Sequence, residues 1–209
     1  MEFEFLIKGI VIGFSIAAPV GPIGILTIQR SLTHGPLAGL ATGFGAATAD
    51  AIYGCVAGFG ITAVSFWLFS FQTWLLLAGG LFLCGLGLAT LRKTPPAQGE
   101  NQRAPVFRGY GLAYLSALFL TLTNPVTILS FMAIFAGLGL GASTDQSVGG
   151  AISLVLGVFI GSCMWWMMLT LGVGQLKQKL ATGFQGMINR AAGVVLLAFG
   201  AWALVRLVP

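Results

Sequence analysis

Long apolar segments with almost no charge run through this chain, and they constrain its fold more than any single motif does. Only 7% of the 209 residues are charged, against about 25% in a soluble domain. A membrane-spanning helix needs about 20 predominantly apolar residues in succession. The sequence therefore predicts an all-α integral membrane protein with six transmembrane helices. The predicted spans are residues 5–29, 37–60, 73–91, 110–138, 149–172 and 188–208.

The polar segments between these spans predict the orientation of the chain. Residues 92–108, rich in Pro, Gln and charged side chains, form the only long polar segment and are typical of a flexible linker. Lys and Arg are concentrated in the first, third and fifth predicted loops and absent from the second and fourth. Because basic residues favour cytoplasmic loops, we expect the linker in the cytoplasm and both termini outside. Residues 61–72 stay apolar, and we interpret them as either a helix extension or an interfacial stretch.

These basic residues give no reason to expect nucleic-acid binding, because no soluble face is available to carry them. We expect the lipid bilayer to surround the chain instead.

Prolines fall in the middle of two predicted helices. Pro19 and Pro22 lie at the centre of the first span, and Pro125 lies at the centre of the fourth. A proline removes a backbone N–H and clashes with the carbonyl group four residues before it, so both helices should be broken. In hydrocarbon the freed backbone groups must find partners inside the protein or line a cavity. A purely structural kink that sets helix packing is the alternative.

The two halves of the chain resemble each other. Residues 40–60 align without gaps to residues 154–174, and residues 21–27 align to residues 124–130. With three helices per half, the second copy is inserted upside down relative to the first. Inverted repeats with interrupted helices at corresponding positions indicate a secondary transporter with a site at the membrane midplane.

We therefore predict two inverted three-helix repeats, residues 1–91 and 109–209, joined by the linker. Glycine pairs four residues apart, such as Gly9 with Gly13 and Gly157 with Gly161, indicate faces where these helices contact each other.

Asp50 is the only acidic residue inside a predicted span, and it lies at the centre of the second. A carboxylate in the membrane is by default a functional-site hypothesis, because placing it there is costly. Burial disfavours the charged form, which makes Asp50 a candidate proton acceptor, whereas a nearby cation would keep it charged. The alternative is a protonated carboxyl group that hydrogen-bonds a neighbouring helix for structural reasons.

The helix halves that begin after Pro22 and Pro125 would direct free N–H groups and a positive dipole end towards the centre, which suits a substrate carboxylate. Asp50, or the carbonyl groups before the breaks, would take an ammonium group or a coupling cation. For any single Ser or Thr, a hydrogen bond to its own helix is the competing role. The candidate substrate-binding residues are Pro19, Gly21, Pro22, Thr27, Asp50, Tyr53, Asn124, Pro125 and Thr127, with Asp50 also the candidate for the coupling ion.

Signatures of an enzyme are missing from the sequence. His34 is the only histidine, so this chain cannot build a His-based metal site or a catalytic triad. It also has no phosphate-binding loop and no dinucleotide-binding fingerprint. We expect neither an enzyme nor a bound cofactor or metal.

In these motifs the chain resembles the LysE-type (LysE/RhtB) family of bacterial amino-acid exporters. The resemblance covers the whole chain and is carried by Ala18-Pro19-Val20-Gly21-Pro22, by Gly43 through Ala49-Asp50, and by Thr123-Asn124-Pro125. It implies a multi-pass protein of the bacterial inner membrane that exports an amino acid or a similar small metabolite, driven by the proton gradient or by exchange, and that forms a homodimer.

Two departures limit the resemblance. Many relatives have Gly directly before the Asp, where this chain has Ala49, and the repeat partner of Asp50 is Met164. The leading hypothesis is export of a zwitterionic or cationic metabolite by alternating access, in which one half rocks against the other. The alternative is an exporter or channel for a cation, with Asp50 as its ligand.

Overall fold

The computed structural model describes residues 2–19, 21–58, 72–92, 109–124, 127–128, 130–131, 148–179, 184–205 and 207. Nearly all of these residues are helical, and none of them lies in a strand. The described part of the chain thus confirms the all-α prediction.

Seven helices have defined bounds in the described ranges. They are α1 (Glu2–Ala17), α2 (Pro22–His34), α3 (Pro36–Gly58), α4 (Gln72–Leu91), α5 (Tyr110–Leu122), α6 (Val148–Lys179) and α7 (Phe184–Val205).

Three of the predicted spans are confirmed as helices long and apolar enough to cross a membrane. They lie within α4, α6 and α7, at Thr73–Leu91, Val148–Gln175 and Met187–Val205. The pair α1 and α2 passes the same test when it is taken as one bent span. The helix α3 is 23 residues long, about 34 Å at 1.5 Å per residue, but it is richer in small residues than the others.

A helix ends shortly before each group of predicted helix-breaking prolines in the sequence. The helix α1 ends at Ala17 and α2 begins at Pro22, and the pair is bent by 79°. Proline suits the first helical position because its missing N–H is not needed there. In the fourth predicted span, α5 ends at Leu122 and the chain is helical again at residues 127–128 and 130–131.

Several predictions fall outside the described residues. They concern Pro125, nearly all of the linker at 92–108, most of the segment 61–72, and the second half of the fourth predicted span. They stay predictions.

The helices α1 and α6 pack closely through glycine. A methyl group added at Gly9 would collide with the carbonyl oxygen of Leu154, and one at Gly13 would collide with that of Val158. Reciprocally, methyl groups at Gly157 and Gly161 would collide with backbone atoms of α1. The prediction that these glycines mark a helix-contact face is therefore confirmed.

The remaining helices also pack in pairs. The helix α3 packs against both α5 and α6, α4 packs against α7, and α2 contacts α3, α6 and α7. Each of the seven described helices contributes to one buried apolar cluster. Its members are Ala17, Ile23, Leu26, Ala46, Ala47, Leu83, Leu120, Cys163, Trp166 and Leu196.

The outward faces of the helices are also apolar. Leu112 of α5, Leu171 of α6 and Val194 of α7 are among many large hydrophobic side chains that are exposed. In water, extensive exposed apolar surface marks an interaction or aggregation site. In a bilayer it is the ordinary solvent-facing surface, because the lipid tails are equally apolar.

Candidate functional site

A cavity of about 240 Å³ lies where the break between α1 and α2 meets the end of α5. Residues of α1, α2, α3, α5, α6 and α7 contribute to its walls. Its volume is below the range of about 300–1,000 Å³ typical for drug-sized ligands. The cavity therefore has the size for a small metabolite.

Most of the predicted binding residues meet at this cavity. Those that line it are Pro19, Gly21, Pro22, Asp50, Asn124 and Thr127. The structure thus brings Asp50 together with residues from both predicted breaks.

Two predicted binding residues do not line the cavity. The hydroxyl group of Thr27 donates to the carbonyl oxygen of Ile23 at 2.9 Å, which is the competing role expected for a helical threonine. The hydroxyl group of Tyr53 donates to the carbonyl oxygen of Leu122 at 2.7 Å. Because Leu122 is the last residue of α5, its carbonyl group lies where intrahelical donors run out.

Asp50 is almost fully enclosed, with 3% of its surface exposed. Its Oδ2 accepts a hydrogen bond from the Ser162 hydroxyl group at 2.7 Å. The Ser162 oxygen in turn accepts one from Nε1 of Trp166 at 3.1 Å. An indole N–H can only donate. The Ser162 oxygen therefore accepts the hydrogen bond from Trp166, and the Ser162 hydroxyl group donates its own hydrogen bond to Asp50.

Ser162 is a residue that the sequence analysis missed. It lies on α6 one turn before Trp166, on the same face of that helix. The spacing of Ser162 and Trp166 was visible in the sequence, but nothing there indicated that this face of α6 packs opposite Asp50.

One backbone hydrogen bond recurs at the two breaks near the cavity. The first intrahelical bond of α2 runs from the N–H of Ile25 to the carbonyl oxygen of Gly21, and its counterpart runs from Ile128 to Asn124, both at 3.1 Å. In each case the capping residue directly precedes a proline.

Residues at the first positions after each break line the cavity. Ile23 and Gly24 precede the first intrahelical bond of α2 and line the cavity, as Thr127 does on the other side. No side chain caps the N-terminus of α2. Because the first N–H groups of a helix have no partner within it, these positions suit an anionic group.

Polar side chains in the C-terminal half of α2 form hydrogen bonds with neighbouring helices. The half-buried guanidinium group of Arg30 donates to Thr42 Oγ1 at 3.1 Å, to the Ala113 carbonyl oxygen at 2.9 Å and to Ser116 Oγ at 2.8 Å. Nε2 of Gln29 donates to Oδ1 of Asn189 at 3.0 Å. These bonds connect α2 to α3, α5 and α7.

Among the described residues, no group of three or more His, Cys, Asp and Glu side chains is placed to hold a metal ion. Asp50 is the only ionisable side chain among the described residues that line the cavity.

Comparison with known proteins assigns the chain to a family. The LysE type translocator family matches residues 14–206, a range that includes the whole cavity. A protein of Bacillus subtilis (strain 168) named "Putative amino acid efflux protein YcgF" is 28% identical over 197 residues, which cover 91% of this chain and 90% of that protein. The "Uncharacterized membrane protein YahN" of Escherichia coli (strain K12) is 25% identical over 175 residues, covering 83% and 77%. No solved structure matches the chain.

The family match spans most of the chain, and the apolar helices agree with it. The protein is a multi-pass membrane protein, and the resemblance seen in its motifs is confirmed. The chain belongs to the LysE type translocator family.

Proposed function

We propose that this protein is a secondary transporter that exports an amino acid across the bacterial inner membrane. The observation that supports the proposal is the cavity, whose lining includes Asp50, Pro22 at the start of α2, and Asn124 and Thr127 from the second half of the chain. Membership of a translocator family and the printed name of the Bacillus relative support it.

The two charged groups of an amino acid match this site. Asp50 would bind the ammonium group through Oδ1, since Oδ2 is already bonded to Ser162. The N–H groups of Ile23 and Gly24 would bind the carboxylate, aided by the positive end of the α2 dipole. Thr127, at the second helix start, offers a further polar contact.

Alternating access between two inverted repeats would move the substrate. The contact of α1 with α6 and that of α3 with α5 correspond to each other under such a repeat. The repeat exchanges α3 with α6 and α4 with α7. The contact between α3 and α6 and the contact between α4 and α7 are therefore each their own counterpart. This pattern supports six spans with broken first and fourth helices. The distribution of basic residues favours termini outside the cell, and the family resemblance favours a homodimer.

Asp50 would also carry the coupling proton. Counterflow in proteoliposomes tests this with Asp50→Asn, which keeps the shape and removes the charge. Loss of a charged hydrogen bond of about 1.5–3 kcal/mol predicts an apparent affinity about 10- to 100-fold weaker. The dependence of transport on pH should flatten as well.

Cys55→Ser is the matched control, because Cys55 lies half-buried on the same helix and does not line the cavity. We expect its transport to equal that of the wild type. Normal transport by Asp50→Asn with an unchanged pH profile would contradict the coupling role. Cation flux that needs no amino acid would favour the cation exporter or channel instead.

A further inference from the structure

The residues that line the cavity fall into two chemical groups. The polar group consists of Asp50, Thr121, Asn124, Thr127 and Ser130. The other group is apolar and comes mainly from three helices, with Ile16 and Ala17 on α1, Ile23 on α2 and Phe199 on α7. Ala46 of α3 and the indole of Trp166 extend this apolar wall.

Part of the polar group is already engaged within the protein. The hydroxyl group of Thr121 donates to the carbonyl oxygen of Ala117 at 2.8 Å. Oδ2 of Asp50 accepts a hydrogen bond from the Ser162 hydroxyl group. Of the ionisable groups, only Asp50 is present among the described lining residues, and the substrate ammonium group would occupy it.

A substrate with a charged side chain would therefore bring a charge that has no partner among the described residues of the cavity lining. A basic side chain needs a second acid, and an acidic side chain needs a second cationic group. Burying an isolated charge in apolar surroundings is far more costly than burying a methyl group. The apolar wall, by contrast, gains from contact with hydrocarbon.

We propose that the exported amino acid has an uncharged, apolar side chain of the leucine, methionine or phenylalanine kind. This side chain packs against Phe199, the ring of Trp166 and Ile16. The inference rests on the proposed function and specifies its substrate class. A cavity of about 240 Å³ leaves room for one such side chain beside the backbone groups of the amino acid.

Substrate pairs of equal shape and different charge test the proposal in proteoliposomes that contain the full-length protein. Lysine is compared with 2-aminoheptanoate, which replaces the ammonium group of the side chain by a methyl group. Aspartate is compared with leucine, which has a similarly branched side chain. Each compound competes with labelled leucine in counterflow. We expect each neutral member to compete at least about tenfold better than its charged partner, because of the unpaired charge.

The outcomes separate this inference from the proposed function. If lysine or aspartate competes as well as its neutral partner, the apolar side-chain site is wrong while amino-acid export stands. If labelled leucine is not transported and none of the four amino acids is accepted as a substrate, both proposals fail.

A pair of phenylalanine variants locates the side-chain site. Phe199 and Phe82 both pack partly buried against the same apolar cluster, but only Phe199 lines the cavity. Phe199→Ala should raise the transport of tryptophan relative to leucine several-fold, because it enlarges the cavity. Phe82→Ala should leave the ratio unchanged. Phe199→Leu serves if the larger deletion prevents folding. An unchanged ratio in a folded Phe199 variant would place the side chain elsewhere and overturn the assignment.

Discussion

One oxygen of the Asp50 carboxylate, Oδ2, is hydrogen-bonded within the protein. Ser162 donates to Oδ2. Trp166 holds the Ser162 hydroxyl group in place through its indole N–H. Asp50 belongs to the first half of the chain, whereas Ser162 and Trp166 belong to the second. The orientation of the carboxylate therefore depends on how the two halves pack.

Ser162 should act as a positioning residue for Asp50. Ser162→Ala removes one hydrogen bond to a carboxylate, a loss of about 1.5–3 kcal/mol if that group is charged. We expect transport to fall about tenfold or more and its pH profile to shift. Ser162→Thr keeps the hydroxyl group and should restore both. A purely structural role would change the melting temperature in detergent and leave the pH profile as in the wild type.

Two fully buried threonines should respond in opposite ways to the same substitution. Thr170 has 0% of its surface exposed, and its hydroxyl oxygen has no partner in the described part of the chain. Thr42 is equally buried but donates to Ala38 at 2.8 Å and accepts from Arg30 at 3.1 Å. An unsatisfied buried polar group costs about 1–3 kcal/mol.

Thr170→Val should therefore raise the free energy of unfolding by about 1 kcal/mol. Thr42→Val should lower the free energy of unfolding by about 1–3 kcal/mol, because Arg30 then loses one of its hydrogen-bond acceptors. Thermal unfolding of the purified protein in detergent measures both. A destabilised Thr170→Val would show that its hydroxyl group has a partner.

At the scale of the elements, the sequence predicted individual helices better than their neighbours. The span predicted at 73–91 matches α4, observed at Gln72–Leu91, because hydrophobicity is a local property of the chain. The packing partner of a helix depends on how two surfaces fit in space. The sequence therefore supplied Asp50 but missed Ser162, and it assigned Tyr53 to the site when its hydroxyl group satisfies the end of α5.

Glycine spacing is an exception, because it predicted a packing surface from the sequence alone. Small residues four positions apart mark the face on which two helix backbones approach each other. Gly13→Ala should separate α1 from α6, since the added methyl group meets the backbone of Val158. Inserting a methyl group into a close-packed contact costs about 1–3 kcal/mol. We expect a lower melting temperature and weaker transport.

Gly85→Ala on α4 is the control for this substitution, because a methyl group there has nothing within 4 Å. It should be neutral or stabilise α4 by up to about 1 kcal/mol, given the better helix propensity of alanine. Equal destabilisation by the two substitutions would contradict the close contact of α1 with α6.

At the scale of the whole molecule, polar side chains link the two halves at the end of α2 away from the cavity. Arg30 bonds to Ser116 and to the Ala113 carbonyl group, and Gln29 bonds to Asn189. The helix α2 belongs to the first half, whereas α5 and α7 belong to the second. If one half rocks against the other, contacts of this kind have to break and form again in each cycle.

A covalent link between the halves should therefore stop transport. Cysteines at positions 29 and 189, joined by a short bis-methanethiosulfonate reagent, replace a hydrogen bond of 3.0 Å by a permanent bridge. Cys55, Cys84 and Cys163 are free thiols and are first replaced by alanine. A protease site in the linker separates the halves, so a gel detects the bridge.

Cysteines at Glu4 and Lys8, an ion pair at 2.7 Å within α1, give a control bridge that should leave transport intact. Full transport by the protein bridged at 29 and 189, with reductant making no difference, would exclude rocking of the halves and favour a channel.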